Sequence, residues 1–160
     1  MTATRGLQGF DTSATSGESP PRPVLLVTLS ARIEPVAERV AIESALETRA
    51  RLLIANMLWL RPLPSTLMLA PEALTLPHEE DLEEVRATAQ RAAAAGVPTE
   101  LLRIHSRRPL KAVVELVSER RPGLVVLGPD PKRAPRWWRA LAARRIRSLD
   151  DCLVWIGSDD

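Results

Sequence analysis

Short, nearly continuous apolar runs alternate along the chain with longer stretches in which apolar residues recur every three or four positions. Runs such as Val24–Leu29 are typical of strands buried on both faces of a sheet. The i, i+3, i+4 and i+7 spacing of one helix face is seen in Leu110, Val113, Val114 and Val117. These patterns predict strands at 24–29, 52–57, 98–104, 124–127 and 152–156, and helices at 35–49, 79–95, 109–120 and 135–148.

Strands and helices therefore alternate strictly, from a first strand to a fifth. Short connections in this order require parallel strands and right-handed crossovers. We expect an α/β protein with a single open five-stranded parallel sheet and helices on both of its faces. The 98–104 strand alternates polar and apolar residues, which places it near the edge of the sheet. For the first helix, the pattern predicts a broad inner face of Val36, Val40, Ile42, Ala45 and Leu46.

Two segments do not fit this alternation. Residues 1–21 are rich in Thr, Ser, Gly and Pro and offer little to bury, so we predict a disordered tail before a domain that covers 22–160. The stretch from 58 to 77 has four prolines and many apolar residues. We expect a loop packed over the sheet, with a short helical turn at 70–74.

Composition narrows the class of protein. A length of 160 residues suits one domain, and no apolar run approaches the roughly 18 residues of a membrane span. The first residues lack the apolar centre of a secretory signal, and Cys152 is the single cysteine, which excludes an internal disulfide. We expect a cytoplasmic protein that does not bind membranes.

Charge is distributed unevenly, although the formal net charge is only +2. Residues 1–100 contain 9 basic and 13 acidic residues, and the rest contains 13 basic and 7 acidic residues. Seven cations and no acids occupy the segment from 132 to 147: Lys132, Arg133, Arg136, Arg139, Arg144, Arg145 and Arg147.

Three interpretations of this basic segment remain open, of which a surface for nucleic acid or for an acidic membrane is the weakest. On a helix, Arg136, Arg139 and Arg147 share one side, which indicates a solvated outer face. Alternatively, Lys132 and Arg133 form an anion site at the helix N-terminus, which the helix dipole reinforces. No nucleic-acid-binding motif is present, so we do not expect a nucleic-acid partner. Of the adjacent tryptophans 137 and 138, one should lie in the core and the other on the surface.

Catalytic chemistry has little support in the sequence. His105 and Ser106 follow the third strand, where open α/β sheets bind ligands, but no acidic partner is apparent. His78 precedes an acidic stretch that is best explained as the start of a helix. No nucleophile elbow, Walker loop or metal-ligand spacing occurs. We therefore expect no metal and no enzyme, and a hydrolase or transferase that uses His105 is the weakest alternative.

The chain resembles the universal stress protein family over residues 22 to 157. The resemblance rests on the first strand VLLVTLS, on Gly96-Val97 before the third strand, and on PLKAVVELVSERRPGLVVLG from Pro109 to Gly128. It implies the strand order 3-2-1-4-5 and a homodimer paired through the fifth strands. The apolar Leu153 and Trp155, which share one side of the last strand, would then lie at the dimer interface. The alternative is that this side of the strand is buried under helices.

The ligand motif of ATP-binding members matches only in part. Where the family has an aspartate at the end of the first strand, this chain has Leu29. The phosphate signature begins at Gly128 but meets Pro131, Leu141 and Ala142 at its later glycine and hydroxyl positions. Proline supplies no N–H, and side chains obstruct a cradle that depends on glycine. The lost contacts, at about 1–3 kcal/mol each, would abolish micromolar binding.

The sequence thus predicts a non-catalytic, dimeric binding or regulatory module that does not bind ATP in the usual family manner and has no bound cofactor. The alternative is a stress protein that still binds ATP, another nucleotide or another anion at the fourth strand end and the basic helix N-terminus. The residues of that alternative site are Ser30, Gly128, Asp130, Lys132, Arg133 and Arg136.

Overall fold

The computed structural model describes residues 20–29, 32–59, 79–128, 136–149 and 151–157. All nine predicted elements are present in these ranges, with bounds within two residues of those expected. The strands are β1 (Val24–Leu29), β2 (Leu52–Trp59), β3 (Thr99–Ser106), β4 (Leu124–Leu127) and β5 (Leu153–Ile156). The helices are α1 (Pro35–Glu47), α2 (Glu79–Ala94), α3 (Pro109–Arg120) and α4 (Arg136–Arg147).

The five strands form one parallel sheet in the order β3-β2-β1-β4-β5, which confirms the expected fold class and strand order. Val24 of β1 pairs with Leu52 on one side and with Leu124 on the other. From β1 the chain builds outward to β3, then returns to the centre and builds in the other direction. The crevice between the carboxyl ends of β1 and β4 is therefore the switch point at which open α/β sheets bind ligands.

Two helices cover each face of the sheet, because both faces are apolar. On one face Leu25, Val27 and Leu53 pack with side chains of α3 and α4, among them Trp138. On the other face Leu26 and Ile54 pack with α1 and α2. The central strands are fully buried as a result, as their continuous apolar runs predict.

The inner face of α1 differs from the prediction. Its buried residues are the alanines 37, 41 and 45, whereas Val36 and Leu46 are 42% and 43% exposed. Alanines spaced four residues apart form a narrow stripe with almost no side chain, which lets the helix axis approach the sheet closely. The larger aliphatic residues consequently flank the contact, so the prediction for Val36 and Leu46 was wrong.

Two predictions fall mainly outside the described residues. These are the disordered tail, of which 1–19 lie outside, and the loop from 58 to 77, including its helical turn at 70–74. β2 itself continues to Trp59, so strand pairing extends into the start of the predicted loop. Among the described residues, no helix is both long and apolar enough to cross a membrane.

Candidate functional site

Gly128 lies at the switch point, directly after β4, and both of its backbone polar groups are used within the fold. Its N–H donates to the Val27 carbonyl at 2.9 Å, and its own carbonyl accepts from the Glu34 N–H at 3.1 Å. These two bonds connect the end of β4 to β1 and to the beginning of α1. The Gly128 N–H is therefore not directed at a ligand.

Close packing explains why this position is a glycine. A Cβ on Gly128 would lie 2.8 Å from the Cβ of Ala37 and 3.0 Å from Cδ1 of Leu26. Real Cβ atoms almost never approach so closely, so a side chain here would force α1 away from the sheet. A packing role thus accounts for the glycine that begins the phosphate signature.

A carboxylate lies at the same end of the sheet. Glu34 immediately precedes α1, and its carboxylate fills the space that a Cβ on Gly157 would need. Because Gly157 follows β5 and the Glu34 N–H bonds to Gly128, this negative charge stands across the ends of β4 and β5. A phosphate placed there would be repelled.

The last two residues of β1, Thr28 and Leu29, carry no charge. Leu29, where the family resemblance implies an aspartate, is 6% exposed and packs in the core beneath α3 and α4. The neighbouring Thr28 is fully buried, and its hydroxyl donates to the Arg32 carbonyl at 3.1 Å. Both side chains are thereby committed to the fold.

The last two positions of the phosphate signature lie inside α4. Leu141 and Ala142 occupy the middle of this helix, and Ala142 is fully buried against the sheet. Backbone N–H groups in the middle of a helix are used by the helix itself, so neither residue can present one to a phosphate. Arg136 is the first residue of α4 and is exposed. The other candidate positions lie outside the described residues: Ser30, Asp130, Pro131, Lys132 and Arg133.

The two faces of α4 follow the prediction with one exception. Trp138 is 4% exposed and packs in the core, whereas Trp137 is 62% exposed, so one tryptophan lies inside and the other outside as expected. Arg139 was predicted to share a solvated side with Arg136 and Arg147, but it is only 4% exposed. It lies one residue beyond Trp138 on the covered side of the helix, where the sequence pattern suggested solvent.

His105 and Ser106 lie at the end of the edge strand β3. Ser106 Oγ accepts a hydrogen bond from the backbone N–H of Arg108 at 3.0 Å, which shapes the turn into α3. His105 is exposed. No cluster of His, Cys, Asp and Glu suited to a metal ion occurs among the described residues.

A cavity of about 310 Å³ lies at the opposite end of the sheet, where the strands begin, and Cys152 lines it. Arg22 and Asp151, also in its lining, form an ion pair at 2.8 Å. Burial raises the pKa of the Cys152 thiol, which outweighs the opposing influence of Arg22. The thiol is therefore protonated and weakly nucleophilic at neutral pH.

Sequence reasoning missed two polar features on the α1–α2 face. Glu38 of α1 accepts hydrogen bonds from Arg91 and from the buried Thr88 of α2, and the bond from Arg91 is the main cause that lowers the pKa of Glu38. Asn56 of β2 is fully buried, and neither polar atom of its amide has a hydrogen-bond partner in the described structure. The buried Asn56 could have been found in the sequence, because it is a polar residue inside an apolar run.

β5 forms one edge of the sheet. Leu153 is 73% exposed, whereas Trp155 is half-buried and packs with the core on the α1 side. Cys152, Val154 and Ile156 pack on the α3–α4 side. The strand thus has the two-sided apolar pattern that was predicted, with Leu153 as its most exposed member.

Solved structures with the same architecture identify the fold. No protein-family model matches the sequence. No curated protein matches it either. Universal stress protein UspA from Lactobacillus plantarum is 16% identical with a TM-score of 0.65, covering 88% of this chain and 99% of that one. A universal stress protein in complex with cAMP is 21% identical with a TM-score of 0.58, at 88% and 99% coverage.

A universal stress protein family member from Arabidopsis thaliana with AMP bound is 13% identical with a TM-score of 0.54, and the match covers 88% of this chain and 93% of that one. These likenesses extend over nearly the whole of each neighbour. The class is an α/β protein with one open parallel sheet whose strand order changes direction between β1 and β4. More specifically, the chain has the universal stress protein fold.

Proposed function

We propose that this chain is a non-catalytic, dimeric binding or regulatory module that does not hold ATP in the way the family's phosphate signature implies. The observation that carries the proposal is the double use of Gly128, whose N–H and carbonyl are bonded to Val27 and Glu34. A phosphate cradle depends on backbone N–H groups that are free to point at the ligand. At Gly128 that donor is already engaged.

Electrostatics at the switch point supports the same conclusion. The Glu34 carboxylate lies across the ends of β4 and β5, at the carboxyl end of the sheet. The side chain of Leu29 is aliphatic and packs in the core, so it offers no acceptor to a ribose or a base. A carboxylate at this end of the sheet disfavours a triphosphate, which requires donors.

A second candidate function is the binding of a nucleotide or another anion that carries less negative charge than ATP. Solved neighbours of this fold hold cAMP, AMP and dAMP, which have one phosphate each. Arg136 is exposed at the first residue of α4, where the helix dipole favours an anion. Lys132 and Arg133 precede it in the sequence.

Thermal unfolding with added nucleotide tests the proposal and separates the two candidates. We expect ATP at millimolar concentration, with and without Mg²⁺, to leave the melting temperature within about 1 °C. Ligand at roughly 100 times its dissociation constant would stabilise by about 2.7 kcal/mol and raise the melting temperature by several degrees. Such a rise with ATP would refute the proposal.

A rise with AMP or cAMP alone would favour the second candidate. The Arg136→Glu variant should then abolish that rise, while Arg147→Glu, at the other end of the same helix, should leave it unchanged. Inorganic phosphate at equal ionic strength controls for unspecific effects of salt.

We also propose that the protein is a homodimer paired through β5. The support is the exposure of Leu153 on an edge strand whose outer side pairs with no other strand among the described residues, since such edges readily take up another strand.

A further inference from the structure

The outward side of α4 combines an exposed tryptophan with a basic groove. We name as the α4 outer face the residues that share this side: Trp137, Leu141, Arg144, Arg145 and Ser148. Their spacing of four, three, one and three residues keeps them on one side of the helix, opposite the buried Trp138, Ala142 and Ile146. This face lies apart from the switch point and from the apolar contact with the sheet.

The charge pattern of α4 as a whole differs from that of the other helices, and Arg144 and Arg145 of its outer face contribute to the difference. The helix contains five arginines and no acid, whereas α1, α2 and α3 each contain residues of both signs. On α3, for example, Lys111 and Glu115 form an i, i+4 ion pair at 3.3 Å. Within the described residues, neither Arg144 nor Arg145 takes part in such an ion pair. Their positive charge is therefore available to another molecule.

Apolar surface lies beside these charges. Trp137 is 62% exposed, and Leu141, one turn further along, is half-buried. A surface depression of about 320 Å³ is lined by Leu141, Arg144, Arg145 and Ser148. It thus has an aliphatic side chain beside two guanidinium groups and a hydroxyl, and its volume can take one side chain of a partner.

We propose that the α4 outer face docks an acidic segment of a partner protein, with one apolar residue of that segment seated between Trp137 and the depression. Acidic groups would pair with the forked guanidinium groups of Arg144 and Arg145, for which carboxylates are geometrically suited. The exposed tryptophan is the residue type that most often dominates the energy of such contacts.

Two other kinds of anionic partner fit less well. Single-stranded nucleic acid is held by several aromatic rings along a basic groove, but α4 exposes one tryptophan, and the depression beside it is lined by leucine. A membrane-surface helix buries a wide apolar face in lipid, whereas the wide apolar face of α4 is already buried against the sheet.

Fluorescence anisotropy with a synthetic probe tests the inference on the full chain. The probe is a short fluorescein-labelled peptide in which a Leu-Trp pair is flanked on both sides by glutamates. We expect saturable, salt-sensitive binding in roughly the micromolar to hundred-micromolar range. The same peptide with lysines for glutamates should not bind, and one with Ser-Ser for Leu-Trp should bind at least about fivefold more weakly.

Variants locate the binding. Arg144→Glu/Arg145→Glu should weaken the peptide at least tenfold, and Trp137→Ala about fivefold or more. The matched control, Arg107→Glu/Arg108→Glu, changes two exposed adjacent arginines before α3 and should stay within about twofold of the wild type. All substituted side chains are exposed, so each variant should keep the wild-type circular dichroism spectrum.

Three results would overturn the inference. One is the absence of saturable binding to the acidic peptide at millimolar concentration. Another is an equal loss of affinity in the Arg107/Arg108 control, which would show binding by net charge alone. The third is tighter binding of oligo-dT or of phosphatidylserine vesicles than of the peptide, which would assign the α4 outer face to nucleic acid or to a membrane.

Discussion

Gly128 and Ala37 are so close that a methyl group on Gly128 would lie 2.8 Å from the Cβ of Ala37. This contact joins the end of β4 to the alanine stripe of α1, at the switch point of the sheet. It gives a structural reason for the one glycine of the phosphate signature that the chain retains. If the glycine is needed for packing, a substitution at Gly128 should destabilise the protein without ligand. If it is needed only for ligand binding, the stability without ligand should not change.

If Gly128 is required for packing, Gly128→Ala should destabilise the protein even without ligand. Overpacking of this kind costs about 1–3 kcal/mol. At this chain length, the melting temperature should fall by roughly 2–4 °C for each kcal/mol. Urea unfolding followed by tryptophan fluorescence measures the change.

Removal of the opposing methyl group provides the matched test. In the double variant Ala37→Gly/Gly128→Ala, the close contact is gone, so the two substitutions should be less destabilising together than the sum of each alone. The coupling should reach about 0.5–2 kcal/mol. Strict additivity would show that the Ala37 contact does not explain the glycine.

Substitutions at Asn56 and Thr28 should change the free energy of unfolding in opposite directions. They are register partners on β2 and β1, and both are fully buried. Asn56 has no hydrogen-bond partner within the described structure, so Asn56→Leu should raise the free energy of unfolding by about 1–3 kcal/mol. The Thr28 hydroxyl is bonded to Arg32, so Thr28→Val should lower it by about 1 kcal/mol.

Differential scanning calorimetry of the two variants measures whether stability rises for Asn56→Leu and falls for Thr28→Val. If Asn56→Leu were destabilising, the amide would have to be paired, through a bound water or a residue beyond those described. The comparison therefore measures whether an unpaired polar group is present in the core.

Most of the fold was predictable because it depends on repeated patterns, whereas the site depends on single contacts. Four helical patterns and five apolar runs suffice for a parallel sheet, and the family resemblance supplied its strand order. The alanine stripe of α1 was not predictable, because hydrophobicity ranks Val36 and Leu46 above Ala37 and Ala41. How closely a helix approaches a sheet is decided by side-chain size on both surfaces.

The candidate site was predictable only as a location. Counting residues placed Leu141 and Ala142 in the phosphate signature, but the start of α4 at Arg136 puts them inside a helix. The bond between Glu34 and Gly128 and the pairing of Glu38 with Arg91 join residues more than fifty positions apart. Such contacts follow from the packing of α1 against its neighbours, and no local pattern indicates them.

Glu38 predicts a dependence of stability on pH. Its pairing with Arg91 and Thr88 lowers the pKa of Glu38 below the ordinary 4.5, so the folded state favours the ionised form. The stabilisation is present above pH 4.5 and is lost as the pH falls through the lowered pKa. Because Arg91 is half exposed, we expect Glu38→Gln to cost only about 1 kcal/mol at pH 7.

Urea titrations of the wild type and of Glu38→Gln at pH 7, 5 and 3 measure this difference. It should be largest at pH 7, similar at pH 5 and clearly smaller at pH 3. Glu43→Gln, an exposed change on the same helix, is the control and should show no comparable trend. A constant difference at all three pH values would mean that Glu38 acts by packing and not by charge.

The exposed edge of β5 gives the last prediction. Leu153 is 73% exposed, and if two copies pair through their fifth strands, its side chain becomes buried at the interface. Leu153→Arg would then bring two like charges together across the two-fold axis and remove the apolar contact, so the variant should be a monomer. Leu46→Arg replaces an equally apolar exposed residue on α1 and should leave the dimer intact.

Light scattering coupled to gel filtration, across a range of micromolar concentrations, measures the mass of the wild type and of both variants. A wild-type monomer at all concentrations would exclude the dimer, and an unchanged mass for Leu153→Arg would place the interface on another surface.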